Sequence, residues 1–180
     1  MSVITTVTIK TVNSFDFKKI PGLDPKTGRV RLDEFLTSEL VKSKIYPSQA
    51  YKNHIAKASD ETEKNRYTFN YLFGIEPSHA NGDSLPSYFN SNGDFTISGN
   101  YAPHIADFVL TLAELYPNIE FIFRETYEGS YVAIGKACYT DKLEKIYTPL
   151  VYDVQDPNPD PIEHTRNEKV LIEQYNQIFK

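Results

Sequence analysis

The chain opens on a run of β-branched residues, VITTVTIKTV at 3–12, which predicts a first strand ended by Asn13 and Ser14. Two turn signals follow, Pro21-Gly22 and Asp24-Pro25-Lys26-Thr27-Gly28, where Pro presets φ and Gly accepts positive φ. Phe35, Leu36, Leu40 and Val41 then recur at helical spacing. They predict one helix over 33–44, capped by Asp33 and stopped by Pro47. A more polar helix is expected over 48–58. A third opens at Ser59-Asp60-Glu61, carries Tyr67, Phe69, Tyr71, Leu72 and Phe73, and ends at Gly74.

Residues 77–93 lose this periodicity. They hold Asn-Gly pairs at 81–82 and 92–93, each able to close a hairpin, but the stretch reads as one long loop. Regularity returns with a short strand over 95–98, interrupted by Gly99-Asn100. Pro103 suits the first turn of a helix running to Tyr116, with Ile105, Phe108, Val109, Leu112 and Leu115 at helical spacing. A strand over 119–127 turns at Glu128-Gly129 into another over 131–139, the clearest hairpin in the chain. A further strand is expected over 145–152. Three Pro and three Asp within 153–161 predict an extended, exposed linker. Ile162, Val170, Leu171, Tyr175, Ile178 and Phe179 predict a closing amphipathic helix.

Residues 95–152 thus read strand, helix, strand, strand, strand. Without a regular βαβ alternation, the expected fold is α+β, an antiparallel sheet with helices packed on one face. The chain reads as one domain over 1–180. It divides into a strand plus helices (1–76), a long loop (77–94), a core (95–152), the linker (153–161) and the C-terminal helix (162–180).

Composition narrows the function classes. The chain has 180 residues and a single cysteine, Cys138, so no internal disulfide forms and a reducing, cytoplasmic setting is expected. No apolar run approaches the roughly 20 residues that span a bilayer, and no secretory leader is read at the N-terminus. The net charge of −5 divides unevenly: residues 1–66 hold 12 Lys and Arg against 8 Asp and Glu, and residues 67–180 hold 7 against 16. The acidity falls on the stretch expected to form most of the sheet. Direct nucleic-acid binding by that sheet is therefore disfavoured; the asymmetry reads first as solvated surface charge, with an acidic surface meeting a basic partner as the sharper reading.

Motifs of chemistry are sparse. The sequence has no GxGxxG, no P-loop, no HExxH and no CxxC, and the scattered His54, His79, His104 and His164 form no ligand pattern. No cofactor and no metal is expected. Cys138 reads as a small hydrophobe within a strand rather than a nucleophile. His104 and Asp107 are three apart near a helix start and, with His79 and Asp83, are the candidates for an enzyme site in the 77–107 region. Glu120, Glu125 and Glu128 are close in sequence, but paired carboxylates do acid–base work only at set separations, so they read as solvated. The aromatics are the better clue: 13 Tyr, 11 Phe and no Trp. Tyr88, Phe89 and Tyr101 flank the long loop, while Tyr127, Tyr131, Tyr139, Tyr147 and Tyr152 mark the sheet. Tyr suits both a recognition surface and a half-buried sheet face.

Two stretches carry a resemblance to a known family. TVTIKTV followed by FDFKKIPGLDP resembles the opening of the YubB-like family, a first strand leading into a DFNKI-P type segment. FTISGNYAPHIADFVLTLAELYPNIEFIFRETYEGSYVAIGKA resembles that family's strand, pre-helix Pro, helix ending in LA..YP, strand and Gly-containing hairpin. Where the family carries Trp before the helix, the nearest aromatics here are Tyr88, Phe89 and Tyr101. The resemblance implies a ferredoxin-like α+β fold without an iron–sulfur cluster, in a small plasmid or phage protein with no assigned activity. It supplies no functional residues to carry over. The single cysteine independently excludes a Cys-ligated cluster.

The function expected is a non-catalytic protein-binding module of a phage or mobile element. Its partner would be a host protein, and a sharper form is an acidic inhibitor of a nucleic-acid-handling or defence component. The contact residues expected are Tyr88, Phe89 and Tyr101, with Asp153, Asp156 and Asp160. The alternative is a small enzyme with its site in the 77–107 region. Self-assembly through a sheet edge or the final helix is a third reading, and the oligomeric state stays open.

Overall fold

The computed structural model describes residues 4–80, 82–100, 104–127, 131–139, 145–147 and 150–152. The first strand, β1 (Ile4–Thr11), buries Val7 and Ile9 completely and leaves Thr6 and Thr8 on the other face. It lies in the middle of the sheet. β5 (Phe95–Asn100) pairs with one of its edges and β6 (Phe121–Tyr127) with the other, both antiparallel. Beyond β5 lies β4 (Ser87–Phe89), and beyond β6 lies β7 (Tyr131–Tyr139), followed by β8 (Lys145–Tyr147) and β9 (Leu150–Tyr152), which both pair with β7.

The connections complete the topology. Between β1 and β4 come α1 (Leu32–Leu36), α2 (Glu39–Lys44), α3 (Gln49–Ile55) and α4 (Glu61–Phe73). Between β5 and β6 comes α5 (Asp107–Leu115). β1 and β4 each run antiparallel to β5, so they are parallel to each other and the helical connection skips β5. By the same argument α5 carries the chain from β5 to β6 across β1. Two split βαβ units interlock in the order β4-β5-β1-β6, the ferredoxin-like arrangement, and β7, β8 and β9 extend one edge. The α+β fold with an antiparallel sheet and helices packed against it is therefore as expected.

Alternation along the strands sends Val7, Ile9, Phe95, Ile97, Phe121 and Phe123 towards the helices. Phe108 of α5 meets Phe35, Phe73 and Phe95 with ring centroids 5.6, 5.7 and 6.4 Å away, so one aromatic joins α5 to α1, α4 and the sheet. Gly74 closes α4 with φ +65° and lies so close to the carbonyl of His104 that a Cβ has no room. Only glycine meets both conditions, and the end of α4 is thereby seated on the start of α5.

Several boundaries differ from the pattern. The helix expected over 33–44 is two helices. Thr37 and Ser38 donate their hydroxyls to the carbonyls of Asp33 and Phe35 at 2.6 and 2.8 Å, which ends α1. Ser38 then accepts the Val41 N–H at 3.3 Å and caps α2, while Arg31 rather than Asp33 is the first cap residue. Ser48 caps α3, which ends at Ile55 rather than at 58, and Asp60 caps α4, which opens within Ser59-Asp60-Glu61 as expected.

Residues 77–93 are not one long loop. They contain a short 3-10 turn (Pro77–His79), then β3 (Ser84–Leu85), which pairs with β2 (Val30–Arg31), then β4. Asn92-Gly93 does turn a hairpin, because the Asn90 side chain accepts the N–H groups of Asn92 and Asp94 at 2.9 Å each. Gly99-Asn100 does not break β5, since Gly99 pairs with Thr5. The helix expected from Pro103 begins instead at Asp107, after a turn in which Asp107 donates to the His104 carbonyl at 2.9 Å. The strand expected over 145–152 is divided, with Tyr147 opposite Ala137 and Leu150 opposite Ile134 in a common register. Pro149, which has no N–H for a ladder, falls between them in the sequence. The linker over 153–161 and the helix over 162–179 lie outside the described residues. No helix among the described residues is long and apolar enough to cross a membrane.

Phe108→Ala removes the ring that joins α5 to α1, α4 and the sheet. Urea denaturation should show a loss of about 3–5 kcal/mol, the range for a fully buried aromatic. A loss below 1 kcal/mol would mean that this ring is not central to the core.

Candidate recognition surface

The turn at 24–29 closes on itself. Asp24 donates its N–H to the Arg29 carbonyl at 2.8 Å, and its own carbonyl accepts from Gly28 at 2.8 Å. The Asp24 carboxylate accepts the Lys26 N–H at 2.9 Å. That backbone hydrogen bond is the main reason the carboxyl is held below its ordinary value of 3.8. The turn then docks on the edge of the sheet. Phe89 donates its N–H to the Thr27 carbonyl at 3.1 Å. Ser87, buried, donates its hydroxyl to the Gly28 carbonyl at 2.8 Å and accepts the Val30 N–H at 3.0 Å. Gly28 has φ +76°, and a Cβ there would lie 2.6 Å from the Phe89 nitrogen, so this close approach requires glycine. The outer edge of β4 is occupied in this way and does not offer itself to a further strand.

Two depressions flank this docked turn. One, of about 570 Å³, is lined by Asp24, Arg29, Arg31, Glu34 and Asp83 among others. The other, of about 460 Å³, is lined by Thr27, Arg29, Pro86, Tyr88 and Ser98 among others. Arg29 belongs to both. Arg31 pairs with Glu34 at 3.1 Å, whereas Arg29 is exposed and makes no ion pair among the described residues. Tyr88 points away from the helices and is 38% exposed, the one exposed tyrosine among the described side chains. An exposed Arg beside an exposed Tyr, with a shallow depression on either side, is the chemistry that dominates protein interfaces.

The other expected contact residues divide. Phe89 belongs to the core side, half-buried with its ring 6.1 Å from that of Phe95, and is not a surface anchor. Tyr101, Asp153, Asp156 and Asp160 lie outside the described residues. Arg29 was not legible as a contact. Its only sequence signal was the turn DPKTG immediately before it.

Most described tyrosines turn their hydroxyls inward. Tyr46 donates to the Leu36 carbonyl at 2.7 Å and Tyr116 to the Lys19 carbonyl at 3.0 Å, and burial pushes each hydroxyl up to about 12. Tyr71 reaches the buried Glu114 at 3.3 Å, and burial first, then that carboxylate, raises it further. These residues bind the helical layer together.

The residues considered for an enzyme site have structural partners. His79 accepts the Glu76 N–H at 3.4 Å and completes a capping box. His104 supplies its carbonyl to the start of α5, and Asp83 accepts the Ser84 hydroxyl at 3.1 Å. Asp83 lines the larger depression, but His79, His104 and Asp107 line neither of the two flanking the turn. Glu120 and Glu125 fall at positions facing opposite sides of the sheet. Glu120 pairs with Lys136 at 2.7 Å, and Glu125 is buried on the helix side, so they do not form a carboxylate pair. Glu128 lies outside the described residues. Cys138 is half-buried in β7, between the expected buried position and an open one. No group of three or more His, Cys, Asp and Glu among the described residues is arranged to hold a metal ion.

The described acidic residues of 67–127 do not collect on the sheet face away from the helices. The described charged strand residues there are Lys10, Arg124 and Lys136, with Asp94 and Glu120 paired to the two lysines. Comparisons with protein-family models, with curated proteins and with solved structures return no match to this chain.

Ser87→Ala leaves the Val30 N–H and the Gly28 carbonyl buried without this partner, and denaturation should show a loss of about 1–3 kcal/mol. An unchanged stability would mean the turn docks without it. The Asp24 carboxyl, followed by NMR, should titrate below 3.8. Because its folded value is depressed, its contribution to stability is present at neutral pH and is lost as pH falls through that folded value.

Proposed function

We propose that this chain is a non-catalytic protein-binding module whose contact surface centres on Arg29 and Tyr88. The carrying observation is the docked 24–29 turn, which holds an exposed arginine and an exposed tyrosine on a rigid sheet edge, between two depressions. A rigid platform lowers the ordering cost of binding, and Arg and Tyr are the residues that most often carry interface energy. The mixed charge of the larger depression, with Arg29 and Arg31 facing Asp24, Glu34 and Asp83, suits a partner surface that itself carries both signs. A host protein as partner, and a phage or mobile-element setting, draw their support from the sequence resemblance. The acidic-inhibitor form draws its support from the charge of residues 67–180 and would use Asp153, Asp156 and Asp160 as contacts.

Affinity capture with the full-length protein tests this reading. Arg29→Ala with Tyr88→Ala should weaken a captured partner by about 30-fold or more, the effect of removing hot-spot anchors, with the fold intact by circular dichroism. If the double variant captures as well as the wild type, the surface is wrong. If capture is instead lost in the Asn variants of Asp153, Asp156 and Asp160, and falls steeply with salt, the acidic run is the contact.

A further inference from the structure

The helical layer carries a cavity of its own. It lies where the end of α1 meets α3 and α4 and holds about 560 Å³, within the range of small-molecule sites. It shares no lining residue with the two depressions beside Arg29. Leu36, Tyr46, Tyr51 and Ile55 supply its apolar wall. The rings of Tyr46 and Tyr51 stand 5.0 Å apart at 39°, a tilted aromatic pair. The hydroxyl protons of this wall are already used. Tyr46 donates to the Leu36 carbonyl at 2.7 Å. Thr68, also lining the cavity, donates its hydroxyl to the Lys64 carbonyl at 2.8 Å. The Tyr51 hydroxyl, 2.8 Å from that of Thr68, is therefore the donor in their contact. A group entering this part of the cavity meets ring and aliphatic surface and no free hydroxyl proton.

The rim is different. Lys52 on α3 and Lys64 and Asn65 on α4 are exposed, and all three line the cavity. Neither ammonium makes an ion pair, and the Asn65 carboxamide makes no hydrogen bond, among the described residues. Glu61, one turn before Lys64, also lines the cavity and pairs with neither lysine. Two ammonium groups from neighbouring helices against one carboxylate leave the rim one positive charge in excess.

We propose that this cavity binds a small aryl carboxylate, its ring against Leu36, Tyr46 and Ile55 and its carboxylate between Lys52 and Lys64. A carboxylate offers two acceptor oxygens, one for the ammonium of each helix, and Asn65 adds a neutral donor beside them. A monoanion matches the excess charge of the rim, whereas a phosphate dianion would bring a second negative charge towards Glu61. A rigid ring packs on an aromatic wall with less ordering cost than a flexible chain. The site does not use Arg29 or Tyr88, so it stands or falls separately from the proposed recognition surface.

Titration of the isotope-labelled full-length protein with cinnamate, followed by NMR amide shifts, tests the assignment, with cinnamyl alcohol as the neutral counterpart of the same shape. Cinnamate should give saturable shifts centred on Leu36, Ile55 and Asn65. Lys52→Gln with Lys64→Gln should weaken cinnamate about tenfold and leave the alcohol unchanged. Both positions are exposed and Gln forms helix about as well as Lys, so the fold is retained. Glu61→Gln should tighten cinnamate, because it removes the repelling carboxylate. Absence of a saturable shift by about 10 mM cinnamate overturns the proposal. Shifts centred instead on Lys19, Lys44 and Tyr116, which line another cavity of about 500 Å³, also overturn it. So does a double lysine variant that binds cinnamate as the wild type does, or that weakens acid and alcohol equally.

Discussion

The fold depends on the double pairing of β1. Its backbone groups are satisfied only when β5 supplies one edge and β6 the other, so Thr8 lies between Thr96 and Arg124. Both partners come from far along the chain, and neither pairing alone completes the strand. A central strand with open edges would leave buried donors and acceptors without partners, each costly in a low-dielectric interior. The helical connections must therefore cross the sheet on the side where Val7 and Ile9 point, and the aromatic group around Phe108 is where they meet.

The proposed recognition surface is a consequence of that crossover. The chain leaves β1, turns at 24–29, and folds back against the strand that lies two places away in the sheet. Ser87 and Gly28 hold it there, one through a hydroxyl that both donates and accepts, the other by having no side chain. Arg29 and Tyr88 are more than fifty residues apart in sequence and share a depression only because the turn is fixed to β4. The same closure fills the strand edge, so a partner at the proposed surface would meet side chains rather than add a strand.

The elements most legible in the sequence were those with strong local punctuation. Asp60 and Gly74 bound α4 because one accepts an N–H at the start and the other takes a positive φ at the end. The β6–β7 hairpin was legible from its length and turn. The division of 33–44 was not, because Thr37 and Ser38 are compatible with a helix until their hydroxyls are seen to take the Asp33 and Phe35 carbonyls. Residues 84–89 were read as loop because strands of two and three residues around Pro86 show no period. They are strands because Val30 and Phe95 are placed beside them. Phe89 and Tyr88 looked alike as candidates, and only the register of β4 turns one towards the core and leaves the other outside.

By itself the sequence determined the α+β class, most helix ends and the sign of the charge on each part of the chain, since these follow from local propensity, capping and composition. It also placed Tyr88 among the candidate contacts. Tertiary structure decided which residues share a surface. The −9 balance of residues 67–180 is an average over the chain, yet the described strand residues with charge on the sheet face away from the helices are Lys10, Arg124 and Lys136, because strand alternation distributes neighbouring residues to opposite sides. Arg29 became a candidate for the same reason that Glu120 and Glu125 ceased to be a pair: proximity in a sheet is set by register and facing, and neither is a property of nearby sequence.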